Sequence, residues 1–413
     1  MPTPLESEAS RPFDPSQVAR VATCNVRGLI SFAVRGLGAM FDPKEQLFCH
    51  RLKLTRDGLV REGVSPRYTI MTLLGLRELE LTGAECPFDI RGSYVSLIRN
   101  TAWVQGVGDL GLLIWLTAAF DPGRLVDLFR TFSCETALDR YSDARESRTM
   151  ELAWLLAGLA HAAEVCPELV GPLTDLCVKT YHRLEENQGE CGLFGHMGAK
   201  KSFAGRIRGH IGSFADQVYP MYAMAKFAKF LHVEDPLRPA MECANAICGA
   251  QGELGQWWWL YDARSACVSS HYPVYSVHQH GMAPMGLFAV EEVTGQSFNE
   301  FIYKGLDWIH GANELGVDMK DRSQNVIWRC LLPRRRQTKY REFALSVIRA
   351  RTENTPTRML KILREQRPYE FGWLLFALSR KSQLPGRVKK ADTYEPRLTV
   401  AVSNGMTEQH GNN

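Results

Sequence analysis

Six times along this 413-residue chain a polar or capping residue opens an apolar stretch rich in small side chains, and this recurrence limits the possible folds more than any other feature. The stretches begin at Ser65-Pro66, Gly108-Asp109, Ser147 to Glu151, Ser213 to Asp216, Ser276 to Gln279 and Tyr369-Glu370. Their apolar residues recur at three- and four-residue steps, the period of a helix, and alternating strand-type runs are scarce. Ser followed by Pro suits an N-cap and first turn. Between successive stretches lies room for a more amphipathic helix, at 122–132, 168–185, 236–248 and 298–311. Six apolar helices alternating with more polar partners predict an all-α chain, an α/α toroid of six inner and about six outer helices. A solenoid also pairs helices, but it stacks like units. Starts separated by anything from about 40 to about 90 residues suit a closed ring with elaborated loops better. The expected organisation is one toroid domain over 41–381, a weakly ordered segment over 1–40 and a disordered polar tail over 382–413.

Composition narrows the partners. A formal charge of +4 over this length gives no global reason to bind nucleic acid. Eleven scattered cysteines without a Cys-x-x-Cys pair suit reduced thiols in a cytoplasmic protein. The start Met1-Pro2-Thr3-Pro4 has no basic or apolar leader pattern, and the most apolar run, 110–120, is shorter than the ~20 residues that span a bilayer. His278, His280 and Asp262, or Cys191, His196 and His210, combine into metal sets only without a recognisable ligand spacing, so no metal or cofactor is expected.

The chemistry concentrates in 251–284. In a ring of alternating inner and outer helices all inner helices run parallel, and their N-termini gather at one end. Tyr68, Asp109, Glu151, Asp216, His278, Gln279, His280 and Glu370 all stand at those starts. Gathered N-termini favour negative charge, and carboxylates converging among aromatics can be driven to different pKa values, as sugar chemistry requires. Asp216, set among apolar neighbours, is the expected acid or base, with Glu151 or Asp109 opposing it and His278 and His280 as orienters or relays. Asp109 and Glu151 equally suit plain charge complements of their own helix starts. Expected substrate contacts are Trp257, Trp258, Trp259, Tyr261, Asp262, Tyr272, Tyr275, Gln279 and Tyr68. Three consecutive tryptophans cannot share one face, so one or two belong to the core. The basic run with Arg334, Arg335 and Arg336 reads first as a solvated face and second as a contact for anionic headgroups.

Two segments carry a resemblance. Gln251-x-x-x-Gly255-x-Trp257, and more loosely Gln188-x-x-x-Gly192-x-Phe194, resemble the QW motif of terpenoid cyclases and protein prenyltransferase β subunits, which are α/α toroids. A related turn recurs in six-hairpin glycosidases and polysaccharide lyases, so the likeness implies a fold rather than a reaction. The Asp-x-Asp-Asp and Asp-Asp-x-x-Asp motifs of the cyclases are absent, and Asp175-x-Cys177 matches the prenyltransferase zinc pattern only formally. The favoured expectation is an intracellular enzyme doing acid/base chemistry on a carbohydrate, polysaccharide or glycolipid. The alternatives are a terpenoid-cyclase-like or prenyltransferase-like enzyme acting on an isoprenoid, and a non-catalytic binding or scaffold protein.

Overall fold

The computed structural model describes residues 15–143, 148–198, 209–334 and 359–383. Among these residues the helices are α1 (Pro15–Gly38), α2 (Pro66–Glu80), α3 (Ile90–Arg99), α4 (Val107–Phe120), α5 (Leu125–Thr131), α6 (Cys134–Asp143), α7 (Thr149–Val165), α8 (Val170–Glu185), α9 (Phe214–Leu231), α10 (Leu237–Gly249), α11 (Ala283–Thr294), α12 (Asn299–Ile309) and α13 (Pro368–Leu378). Helices α2, α4, α7, α9, α11 and α13 each pack against the next, and α13 returns to α2, closing a ring. The others wrap it, α3 against α2 and α4, α8 against α7 and α9, and α10 against α9 and α11. The fold is an all-α, α/α toroid.

The apolar stretches are inner helices because they have no face to give to water. Thirteen of the fourteen residues of α4 are buried, and α7 and α9 are nearly as enclosed. Glycines let these helices meet backbone to backbone: a Cβ at Gly158 would run into the Gly111 carbonyl, and one at Gly75 into that of Gly372. Ser65 and Ser213 cap α2 and α9 through their hydroxyls, bonding the Tyr68 and Asp216 N–H groups at 3.2 and 3.3 Å.

One element has no counterpart in the sequence reading. Residues 15–38 of the segment read as weakly ordered form α1, and its Leu29, Phe32 and Leu37 are buried against α13, where Phe32 meets Phe371 edge-on. This helix is the outer partner of the last inner helix, so its order comes from a residue some 340 positions away and leaves little local signature. Strands are few and mostly short, as the scarcity of alternating runs predicts. A hairpin of Leu47–Thr55 and Gly58–Val64 pairs with Glu365–Gln366, and short antiparallel sheets join Ile211–Ser213 to Leu260–Asp262, and Val274–Tyr275 to Cys330–Pro333 and Leu360–Leu363. The segments ending at Val64, Ser213, Tyr275 and Gln366 each lead within a few residues into an inner-helix start. The polar tail from 384 lies outside the described residues.

The two QW-like turns do the same mechanical work. Gln188 donates to the Gly192 carbonyl at 2.8 Å and to Pro239 on α10 at 2.9 Å, and Gln251 donates to Gly255 at 3.2 Å and to Phe301 on α12 at 2.9 Å. Gly192 and Gly255 adopt φ of 82° and 88°, and a Cβ on either would strike the backbone of that next outer helix. Phe194 and Trp257 complete each turn as fully buried rings. Gln188→Ala and Gln251→Ala should each cost about 1–2 kcal/mol by removing two hydrogen bonds. Urea denaturation checks this; an unchanged midpoint in both variants would refute the stapling role.

Candidate functional site at the mouth of the inner ring

One polar group stands at the start of each inner helix. On α2, Arg67 donates to Asp109 of α4 at 2.6 and 2.9 Å and lies over the Trp154 ring of α7, while Asp109 also accepts the Gln105 N–H at 3.2 Å. Glu151 on α7 lies against Gly106 and Gly108, 3.7 Å from Arg148. Asp216 belongs to α9, His278 to a π-turn at His278–Met282 that leads into α11, and Glu370 to α13. The circuit closes where Tyr369 of α13 packs on Tyr68 of α2 with ring centroids 4.7 Å apart.

Asp216 is not free to act on a substrate by itself. Its Oδ2 accepts from the Ser213 N–H and hydroxyl, both at 2.8 Å, and lies 3.1 Å from His196 Nδ1. The carboxylate is 1% exposed, whereas the imidazole is 36% exposed at the mouth. A buried carboxylate that orients a partly exposed imidazole is an arrangement for moving a proton. His196 enters because the 187–197 segment folds back on α7, with its carbonyl accepting the Thr149 N–H at 3.0 Å and Met197 bridging Arg148.

A buried ionic network stands at the start of α13. Glu370 is fully buried, paired to Arg329 and bonded by Gln366 Nε2 at 3.3 Å and the Arg367 N–H at 3.2 Å. Arg329 also reaches Glu365 at 3.2 Å, and Glu365 accepts from Arg51 at 3.0 Å. Burial pushes the Glu370 carboxyl up to about 7, against the pull of Arg329 and Arg367. Above the network Arg329 covers the Tyr275 ring, which packs on Trp259 and His278, and Arg367 donates to the Tyr68 hydroxyl at 2.6 Å. Trp259, Tyr275, Tyr68 and Tyr369 are half-buried and form an aromatic rim.

Other expected site residues hold the scaffold instead. Trp257 is core against Phe214, and Tyr261 is fully buried with its hydroxyl taking the Trp258 N–H at 3.0 Å. Trp258 turns away, bonding the Ala250 carbonyl at 2.9 Å and packing on His271. Tyr272 donates to Glu314, and Asp262 closes a turn by accepting the Arg264 N–H at 2.9 Å. Gln279 is fully buried and donates to the Tyr275 carbonyl, as Gln217 does to Ser213 one hairpin earlier. His280 faces inward near His310, because residues two apart on a helix start diverge. Arg334 is exposed and bonds the Leu360 carbonyl at 3.0 Å, while Arg335 and Arg336 lie outside the described residues. Among the described residues no cluster of His, Cys, Asp and Glu could hold a metal ion. Cys177 of the formal zinc pattern is fully buried in α8, and burial raises its thiol far above the usual range. No described helix is long and apolar enough to cross a membrane.

Buried polar atoms at these starts without a hydrogen-bond partner among the described residues include Asp216 Oδ1, His278 Nδ1, Gln279 Oε1, both ring nitrogens of His280 and Arg367 Nε. Buried groups are rarely left so.

Burial also depresses two imidazoles, His278 and His280, to about 3. The unfolded chain takes protons on both below about pH 6.5 and the native state does not, so acidification costs stability, about 3 kcal/mol per ring by pH 4. Glu370 acts in the opposite sense: its raised pKa adds stability as pH falls from about 7 towards the unfolded value, offsetting roughly one ring. Thermal denaturation between pH 7 and pH 4 should therefore show a falling midpoint, and His280→Phe should flatten that fall. An equally steep profile in this variant would overturn the assignment.

No protein-family model matches the chain, and no curated protein sequence does. Solved structures are similar. Cellobiose 2-epimerase from Bacillus thermoamylovorans B4167 shares 10% identity at a TM-score of 0.59, covering 88% of this chain and 100% of that one. A sugar epimerase from a ruminal bacterium gives 10% and 0.58 over 87% and 99%. The unsaturated glucuronyl hydrolase of Bacillus sp. GL1 gives 16% and 0.53 over 87% and 97%. At these identities the likeness speaks for the fold, and it places the chain among α/α toroids of the six-hairpin type over nearly its whole length.

Proposed function

We propose that this chain is an enzyme that performs acid/base chemistry on a carbohydrate at the mouth of the inner ring, with His196 exchanging the proton and Asp216 positioning the imidazole. The observation that carries the reading is the 3.1 Å contact between a partly exposed imidazole and a buried carboxylate at the head of α9. Three considerations support it. The neighbours in fold are named as a cellobiose epimerase, a sugar epimerase and a glucuronyl hydrolase. Trp259, Tyr275 and Tyr68 offer ring faces on which a sugar can stack. Arg67, Arg148, Glu151 and His196 make this end of the ring charged rather than hydrocarbon-lined, which disfavours the isoprenoid reading.

The reaction class follows from the state of the carboxylates. Glycoside hydrolysis uses a pair of them. Asp109 is tied to Arg67 and Gln105, and Asp216 to Ser213 and His196, so Glu151 alone is loosely held. A histidine that adds and removes a proton next to a sugar carbonyl, an isomerisation or epimerisation, fits these residues better. Incubation with reducing mono- and disaccharides in D2O, followed by NMR, tests this. Deuterium at the carbon next to the carbonyl together with a new epimer is the expected result. Release of free monosaccharide without label would favour hydrolysis through Glu151, and inertness towards every sugar would refute the proposal.

A further inference from the structure

The opposite end of the inner ring holds a cavity of its own. It measures about 900 Å³ and lies among the C-terminal turns of all six inner helices, from Arg77 and Glu78 on α2 round to Phe376 and Ala377 on α13. Six lysine and arginine side chains and four glutamates line it, a formal excess of two positive charges. Basic residues in a last turn offset the negative end of a helix, and this accounts for some of them. It does not account for their arrangement. Lys226 and Lys229, about one turn apart on α9, both bond one carboxylate, Glu292, at 2.5 and 2.8 Å. Glu164 lines the same wall within the field of both lysines but makes no ion pair with either, so among the described residues only Glu292 engages their ammonium groups directly. Lys226 is also largely buried, its Nζ lying over the rings of Tyr222 and Phe230.

The wall beside the lysines is aromatic. His161 bonds the Tyr222 hydroxyl at 2.7 Å, and both rings stack on Trp115, at centroid distances of 4.9 and 5.2 Å. Phe230 and Phe376 flank them, both half-buried. Burial, aided by the nearby lysines, keeps His161 neutral, and the same lysines hold Glu292 down to about 2.

We propose that this cavity is a second binding site, separate from the mouth, for a sugar-sized molecule bearing an oxyanion, whose charge meets Lys226 and Lys229 and whose body packs on Phe230 and Phe376. The volume suits such a ligand, since small-molecule sites run from roughly 300 to 1,000 Å³. A charged head against paired ammonium groups supplies affinity, and the aromatic walls supply selection for a body over a bare ion.

Calorimetric titration of the full chain with glucose 6-phosphate and with glucuronate tests the proposal, and the tighter of the two identifies the oxyanion. At least one should bind, with glucose and inorganic phosphate weaker. Lys226→Met with Lys229→Met should weaken binding about tenfold or more. Glu292→Gln, which frees both lysines, should tighten it, an effect that a purely structural role would not produce. His196→Ala at the mouth should leave it unchanged, which separates this site from the proposed active site. The proposal is overturned if neither probe binds at millimolar concentration, if phosphate binds as tightly as glucose 6-phosphate, if Glu292→Gln does not tighten binding, or if His196→Ala abolishes it.

Discussion

His196→Ala should lower turnover of the sugar substrate by about 10²–10⁴-fold, the usual worth of a positioned general acid or base. The fold should barely notice, because the ring is 36% exposed and sits on the 187–197 turn rather than in the core. Asp216→Asn should act through His196. An amide in place of the carboxylate keeps the ring near its position but no longer stabilises an imidazolium, so kcat falls on the order of tenfold or more while KM changes little. The limb of the pH–rate profile that reports the imidazole should move in this variant. Ser213→Ala removes the hydroxyl that caps α9 and should cost about 1 kcal/mol of stability. If His196→Ala retains full activity on the sugar that the wild type converts, the proton-transfer role is wrong.

Arg329→Met should be the most destabilising single change at the mouth, at about 3–5 kcal/mol, because breaking a buried ion pair leaves its partner's charge uncompensated. Glu370 is fully buried and loses its one cationic hydrogen-bond donor, whereas Glu365 keeps Arg51 and the nearby Arg367. The deficit should depend on pH in a definite direction. With the guanidinium gone the Glu370 pKa rises further above its unfolded value, so the variant is relatively more stable at pH 5 and loses stability as pH rises. Urea denaturation of both proteins at pH 5 and pH 8 measures this, and a gap that does not widen at pH 8 would contradict it. Arg329→Met with Glu370→Gln should recover part of the loss, the signature of direct coupling. Since Arg329 also covers Tyr275, the single variant should weaken substrate stacking on that side of the rim.

Helix starts were legible because capping is local. Ser65 and Ser213 cap where the sequence places them, and the chemistry of a cap lies within about four residues. The QW-like turns were legible for the same reason, since glutamine, glycine and aromatic ring all act within seven residues. Contacts made at long range were not. Only β-pairing of Ile211–Ser213 with Leu260–Asp262 brings Trp259 beside Phe214, whose N–H donates to the Trp259 carbonyl at 3.1 Å. The same folding buries Trp257, Tyr261 and Gln279, which lie in the same aromatic stretch as Trp259. His196 carries no helix-start signal, and it reaches Asp216 only because its loop returns to the head of α7.

The ring itself is written in local sequence: six apolar helices separated by amphipathic partners can bury their all-round apolar faces only by surrounding one another. Tertiary structure decided which polar groups at that end remain available. Asp109 and Asp216 look alike in the sequence, as carboxylates in a first turn. Arg67 neutralises one, and His196 turns the other into the support of an exposed imidazole. Such partners arrive from distant loops, and the environment they create, rather than residue type, sets what a buried charge can do.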